Sequence, residues 1–198
     1  MKFDLYLTLR DIQNSILIVI LNIQHSQLNT KGMEIINRVA NSTLITLNLE
    51  DYYDQGERVV YDIKDNLFME MILKEKDFRT FVKEKDWSVF QNKNVALVCT
   101  ADAIVPTWAY MILATRLQAF ANLVVFGNED ALEQALFQQA LSKINLEEFR
   151  GAKVVIKGCG KIPIPAYAYV EISRLLSPFV ASLMYGEPCS TVPVFKAK

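Results

Sequence analysis

The sequence predicts an α/β fold, in which a single domain contains a largely parallel sheet built from βα units after residue 91 and preceded by a β-β-α segment. Two observations support this prediction. After residue 91, short β-branched runs alternate with stretches of helical length, as in parallel strands joined by right-handed crossovers. Before residue 91, two strand patterns are followed by one helical pattern.

The N-terminal segment of this domain is predicted from hydrophobic periodicity. A short helix is expected over residues 35–40, ending near Asn41 and Ser42. Residues 45–49 alternate apolar and polar side chains, which is the period of a half-buried strand, and VVYDI (59–63) is a second strand. One face of an amphipathic helix is then marked by Met71, Ile72, Phe78, Phe81 and Val82.

The βα units after residue 91 are predicted in three rounds. The strands are NVALVC, LVVFG and KVVIKGC, and the segments TWAYMILATRLQAF, NEDALEQALFQQALSKI and AYAYVEISRLLSPF follow them as helices. Asn128 is expected to cap the second of these helices through its side chain. The tail from Met184 is rich in turn residues and is expected to end in a short strand.

Composition and the N-terminus limit the classes of function. A net charge of −1 provides no basic patch for nucleic acid. ILIVIL (16–21) is far shorter than the roughly 20 apolar residues that cross a bilayer, and no signal-peptide cleavage pattern follows it. Residues 1–32 are either an element packed on the body or an extension read from an upstream start, with Met33 as the true beginning; the domain proper is 33–198. Three cysteines favour a reducing cytoplasm over a disulfide framework.

One pattern occurs twice in the chain. CTADAIVPTWAY (99–110) and CGKIPIPAYAY (159–169) each combine a cysteine after a β-branched run with a proline and an aromatic-Ala-Tyr triplet. Aligning Pro106 with Pro165 also matches Tyr110 with Tyr169. The repetition has two explanations: a packing solution that recurs in βα units, or a site to which both loops contribute.

A shared site would lie at the carboxyl edge of the predicted sheet, where open α/β sheets bind ligands. Cys99 and Cys159 are both expected at this edge, because each closes a strand. Helix N-termini follow both loops and can lower the pKa of a thiol. If GEPCSTVP (186–193) folds over the same edge, the predicted metal ligands are Cys99, Cys159, Cys189, Asp102 and Glu187. The sulfur atoms of Cys99 and Cys159 would then face one crevice.

Several other chemistries are excluded for residues 33–198. The only histidine is His25, so the body cannot form a Ser-His-Asp or Cys-His pair or an imidazole metal site. Thiolates with carboxylate or water would favour zinc or an iron–sulfur cluster over magnesium. GCGK (158–161) is not a P-loop, because Val155 occupies the first glycine position and Ile162 replaces the Ser or Thr.

The order of motifs from about residue 33 to the C-terminus resembles the bacterial family named domain of unknown function 2480. The segments that carry the resemblance are NRVANSTLITLNLED, ILKEKDFRTFVKEKDW, CTADAIVPTWAYMILATRLQ, VVIKGC and MYGEPCSTVP. The resemblance implies no established activity and no catalytic residues. Genes of the family often neighbour those for iron–sulfur cluster assembly, which implies iron–sulfur assembly proteins as partners.

The sequence therefore leaves three hypotheses for function. The first is a cytoplasmic accessory factor in iron–sulfur cluster or metal handling that uses clustered cysteines, with an iron–sulfur cluster or zinc bound. The second is a thiol-dependent enzyme or thiol carrier with one activated cysteine. The third is a non-catalytic scaffold that binds a partner and has buried, inert cysteines.

Overall fold

A computed structural model describes residues 44–158 and 160–198, all within one compact unit. The helix expected over residues 35–40, the 1–32 extension and Cys159 lie outside the described residues. The described chain has mixed α/β structure with mostly parallel strands, which confirms the predicted fold class. None of its helices is long and apolar enough to cross a bilayer.

The strands form two sheets, whereas the sequence suggested one. The four-stranded sheet has the order β1-β5-β6-β7 and the three-stranded sheet has the order β2-β3-β4. All neighbours are parallel except β6 and β7, which form an antiparallel hairpin. The strands are β1 (Leu44–Leu47), β2 (Arg58–Asp62), β3 (Asn94–Val98), β4 (Leu123–Phe126), β5 (Lys153–Ile156), β6 (Ser182–Glu187) and β7 (Ser190–Lys196).

Four α-helices lie in the described part of the chain: α1 (Glu75–Glu84), α2 (Thr107–Leu117), α3 (Glu129–Leu141) and α4 (Ala166–Leu176). The predicted cap of α3 is confirmed, because the side-chain oxygen of Asn128 accepts the N–H of Ala131 at 3.1 Å. Pro106 and Pro165 stand at the N-cap positions of α2 and α4, one residue earlier than the first helical turn, and provide no side-chain cap.

Two local predictions differ from the structure. Met71 and Ile72 are exposed and precede α1, because the chain turns back at Met69 and Glu70, which both have positive φ. The tail from Met184 ends in a strand, β7, as predicted, but the part expected to be turns is mostly the end of β6, since Gly186 adopts φ 125° and lets that strand bend toward its partner in the β6–β7 hairpin.

The two sheets belong to an internal repeat. Residues in equivalent places are separated by 59 positions without a gap, as Phe78 is from Phe137 and Gly127 is from Gly186. Backbone hydrogen bonds repeat in the same frame: Asn92 donates to Phe120, and Gly151 donates to Phe179. In this frame the counterpart of Cys99 is Gly158, and the counterpart of Cys159 is Thr100.

The first strand of each sheet does not follow this 59-residue spacing. Leu44 pairs with Lys153 and Arg58 pairs with Asn94, so β1 and β2 are equivalent strands only 14 positions apart. β1 is followed by Asn48 and β2 ends in Asp62, and each of these side chains caps a 3₁₀ turn. The three-stranded unit is therefore inserted between β1 and the rest of the four-stranded sheet.

Helix α3 is shared by both sheets. Leu132 and Leu136 pack with Ala96 of β3, whereas Phe137 and Leu141 belong to the core of the four-stranded sheet with α4. Helices α1 and α2 cover the opposite face of the three-stranded sheet. The carboxyl edge of the four-stranded sheet lies next to α4 and the turn after β1.

A polar network fixes the start of the three-stranded sheet. Asn94 is fully buried; its side chain donates to Asp54 Oδ1 at 2.7 Å and accepts from the Asn122 side chain at 2.7 Å. Arg58 donates to Glu133 of α3 at 2.6 Å, which ties β2 to the shared helix. Each buried polar atom is thereby hydrogen-bonded, as burial requires.

Candidate functional site: a cleft at the carboxyl edge of the four-stranded sheet

A cleft of about 440 Å³ opens where the parallel strands of the four-stranded sheet end. This is the edge at which open α/β sheets bind ligands. The walls come from the turn after β1, the loop between β5 and α4, the first turns of α4 and the end of β6. The lining residues are Asn48, Leu49, Glu50, Lys157, Gly158, Gly160, Ile162, Pro163, Ile164, Tyr169 and Tyr185.

Glu50 holds the β5–α4 loop in place from the floor of this cleft. Its Oε1 atom accepts the backbone N–H of Ile162 at 2.6 Å. The loop approaches so closely that a Cβ atom on Gly160 would overlap the Glu50 carboxylate. Glycine at this position therefore allows the contact between the loop and the turn after β1.

The charge of Glu50 is stabilised by its surroundings. The hydrogen bond from the N–H of Ile162 lowers the pKa of Glu50, and the N–H of Lys161 and the positive charge of Lys157 act in the same direction, against a weaker effect of desolvation. The cleft thus contains a carboxylate that is ionised at neutral pH beside an ammonium group.

Replacing Glu50 with glutamine should weaken the acid dependence of stability. Because the folded-state pKa of Glu50 is lowered, its carboxylate stabilises the folded protein at pH values above its ordinary pKa of 4.5. This stabilisation is lost as pH falls through the folded-state pKa. Urea unfolding of wild type and Glu50→Gln between neutral and acidic pH measures the difference. Glu84→Gln, at an exposed position on α1, is the control. If the stability of Glu50→Gln fell with acidic pH as steeply as that of wild type, Glu50 would not be the carboxylate responsible.

Two tyrosines form the aromatic wall of the cleft. The rings of Tyr169 and Tyr185 meet edge to face, with centroids 5.6 Å apart. Tyr185 also lies over the β5–α4 loop, since a Cβ atom on Gly158 would sit 2.7 Å from its ring. The hydroxyl of Tyr185 donates to the carbonyl of Gly158 at 3.4 Å. Two glycines thus let the loop pack between a tyrosine and a carboxylate.

The equivalent edge of the three-stranded sheet is tied together by side chains. The carboxylate of Asp62, the counterpart of Asn48, accepts hydrogen bonds from the backbone N–H of Thr100 at 3.1 Å and from the Thr100 hydroxyl. It also accepts one from the backbone N–H of Lys64 at 3.0 Å. Burial raises the pKa of Asp62, but the bonds from Thr100 and Lys64 outweigh it and lower the pKa overall. Burial also raises the pKa of Tyr110, and the electrostatic effects of the nearby Cys99 and Asp62 act in the same direction.

The predicted site residues fall into two groups. Cys99 and Asp102 follow β3 in the three-stranded sheet; Cys99 is half-buried, with its thiol 3.6 Å from the carbonyl of Ala101, and Asp102 is exposed. Glu187 and Cys189 lie on the β6–β7 hairpin of the four-stranded sheet, and Cys189 is exposed.

The convergence of the cysteines stays a prediction, because Cys159 lies outside the described residues. Cys99 and Cys189 are both free thiols. Among residues 44–158 and 160–198, no three His, Cys, Asp or Glu side chains are grouped closely enough to hold a metal ion.

Sequence reasoning singled out the loop that contains Gly160, Ile162 and Tyr169 but missed Glu50 and Lys157. Two signals could have located them. Glycines on both sides of Cys159 indicate a close backbone approach. The similar segments LNLED (47–51) and YDIKD (61–65) each place a capping Asn or Asp at the end of a strand, which marks two equivalent strand ends.

A family model described as "Protein of unknown function (DUF2480)" matches residues 33–197. The chain belongs to the DUF2480 family. This confirms the resemblance inferred from the sequence motifs and assigns no activity. Neither the curated proteins nor the solved structures contain a significant match to the chain. For this DUF2480 protein, function must therefore be argued from the cleft.

Proposed function

We propose that this DUF2480 protein is a thiol-dependent enzyme or thiol carrier of the reducing cytoplasm, with Cys159 as its working cysteine. One observation carries the proposal: Gly158 and Gly160 both line the cleft, and Cys159 is the residue between them in the sequence. The cleft that these two glycines line has a volume of about 440 Å³, which is in the size range of small-molecule sites.

The charges of the cleft fit a cysteine that reacts as a thiolate. Lys157 precedes the loop and lines the cleft, and a neighbouring ammonium group favours the thiolate form. The carboxylate of Glu50 is engaged by the N–H of Ile162, so its role is to position the loop. The tyrosine wall supplies apolar surface for a substrate in the cleft.

Alkylation kinetics test this proposal. In the folded protein, iodoacetamide should label one thiol rapidly, with an apparent pKa below the roughly 8.5 of free cysteine. Cys159→Ser should abolish the rapid phase, whereas Cys99→Ser should retain it, since Cys99 closes a strand of the other sheet. The exposed Cys189 is the internal reference for ordinary thiol reactivity. A rapid phase that persists in Cys159→Ser would exclude the proposal.

A second candidate function is iron–sulfur cluster or metal handling, with iron–sulfur assembly proteins as partners. It is supported by the length of the β6–β7 hairpin. Strand β5 ends at Ile156, which pairs with Tyr185, whereas β6 continues for two more residues, Gly186 and Glu187, and pairs there with β7. This extension carries Glu187 and Cys189 past the edge where the Cys159 loop begins. Thiolates with a carboxylate suit zinc or an iron–sulfur cluster.

Anaerobic purification followed by metal analysis and a visible spectrum separates the two functions. Metal handling predicts bound iron or zinc that is lost in both Cys159→Ser and Cys189→Ser but kept in Cys99→Ser. A protein that is colourless, metal-free and cannot be reconstituted would remove this candidate. It would leave the thiol proposal untouched, because the labelling experiment needs no metal.

A further inference from the structure

We infer that a second copy of this chain pairs with β4 in antiparallel orientation and joins the two three-stranded sheets across a twofold axis. The inference is independent of the cleft. Within the described residues, β4 pairs only with β3 and stands at the edge of its sheet. Its counterpart in the internal repeat, β6, has an antiparallel neighbour on the same side, β7.

The chemistry of β4 favours a like strand as its neighbour. Edge strands are usually protected by charges or proline. Among the described strands at sheet edges, β7 contains Pro193 and Lys196 and β2 contains Arg58 and Asp62, whereas β1 (LITL) has neither charge nor proline, like β4. The four residues of β4, LVVF, have no charge and no proline, and Asn122 and Gly127 flank them. Antiparallel self-pairing therefore places no like charges opposite one another.

An apolar groove lies beside the same strand. It has a volume of about 680 Å³ and is formed by the side of α2, the loop before it and the strands β3 and β4. Three large apolar side chains in this region are strongly exposed: Ile104 is 91%, Phe126 is 70% and Met111 is 64% exposed. Exposed apolar clusters of this kind mark interaction surfaces.

The groove supplies the area that a short strand pair lacks. The surface area buried by pairing two four-residue strands is small compared with the roughly 800 Å² per partner that a stable interface buries. A twofold axis perpendicular to the sheet keeps both α2 helices on one face, so the same apolar patch of each copy meets the other. Met111 and Phe126, which pack near the axis in this arrangement, are then the residues on which association depends most.

Sedimentation of the full chain from about 1 µM to about 1 mM tests the inference. Wild type should double its mass over this range. Met111→Glu and Phe126→Glu should each move the midpoint roughly ten-fold or more to higher concentration, because a charge would be buried in the interface. The matched control is Val170→Glu, since Val170 is the counterpart of Met111 on α4 and is 67% exposed. It should associate like wild type.

Each other outcome overturns the inference. A wild type that is monomeric throughout the range excludes a second copy as the occupant of β4. Association that resists Met111→Glu and Phe126→Glu places the interface elsewhere, and association lost equally in Val170→Glu shows a non-specific effect of added charge. Circular dichroism of each variant establishes that it is folded before its mass is compared.

Discussion

Replacing Phe137 with alanine is expected to lower the free energy of unfolding by about 3–5 kcal/mol. Phe137 is 1% exposed and lies in the core of the four-stranded sheet, where its ring meets Tyr53 at a centroid distance of 6.2 Å. Its removal leaves a cavity beside α3, a helix that packs on both sheets. Because α3 is held by both sheets, it cannot move to fill the cavity. Urea denaturation measures the loss.

The same variant tests whether the two halves of the repeat unfold together. Both tryptophans, Trp87 and Trp108, belong to the core of the three-stranded sheet, so their fluorescence reports that sheet alone. If α3 couples the sheets, the fluorescence and circular dichroism transitions of Phe137→Ala should shift together. Gln138→Ala, at the next and exposed position, should change stability by less than about 0.5 kcal/mol. A fluorescence transition that stays at the wild-type midpoint would contradict the coupling.

The second large effect is expected for Asn94→Asp, at about 3–5 kcal/mol near neutral pH. The side-chain nitrogen of Asn94 lies 2.7 Å from Asp54 Oδ1, and the residue is fully buried. The substitution replaces a hydrogen-bond donor with a second carboxylate in contact with the first. Asp54 keeps its ion pair with Arg58 at 3.6 Å, but the new carboxylate at the buried position 94 would be poorly solvated.

The pH dependence distinguishes this mechanism from a simple loss of packing. The like charge of Asp54 raises the folded-state pKa of the new carboxyl above its unfolded value of about 3.9. The destabilisation should therefore be small below that value, grow as pH rises above it and level off beyond the folded-state pKa. Asn94→Leu, with no charge to titrate, should cost about 1–3 kcal/mol at all pH values. Parallel pH profiles of the two variants would contradict the explanation.

The individual helices and most strands could be predicted because their signals are local. The period of apolar residues located α2, α3 and α4 within a few residues, and the cap at Asn128 is set by its own side chain. The strand β6 was missed, since Gly186 and Pro188 look like a turn in sequence. In the structure they form the end of a strand and the start of a tight hairpin.

The division into two sheets could not be predicted, because it depends on which distant strands pair. Nothing near Leu44 shows that β1 pairs with β5 and not with β2, the next strand in the chain. The two repeated cysteines do not occupy equivalent positions. The frame that aligns Pro106 with Pro165 is also the ungapped frame of the strands, and it sets Cys99 opposite Gly158, so the two thiols differ by one place in the repeat.

The loop on one side of the cleft could be singled out from the sequence, but the residues that face it from the turn after β1 could not. The carboxyl edge of a parallel sheet was the expected place, and the cleft lies there. Glu50 was out of reach because it precedes the loop that it holds by 112 positions, a contact that arises only once β1 and β5 are neighbours.

The insertion of one unit within the other has a consequence for synthesis on the ribosome. The strands β2, β3 and β4 follow one another in the chain and can pair as soon as residue 126 has emerged. Strand β1 must wait for β5, which lies more than a hundred residues after β1 in the chain. Contacts between such distant segments form slowly because a long loop must close. A nascent chain halted before β5 would therefore hold a finished three-stranded sheet while β1 still lacks its partner β5, a form exposed to chaperones and to misassociation.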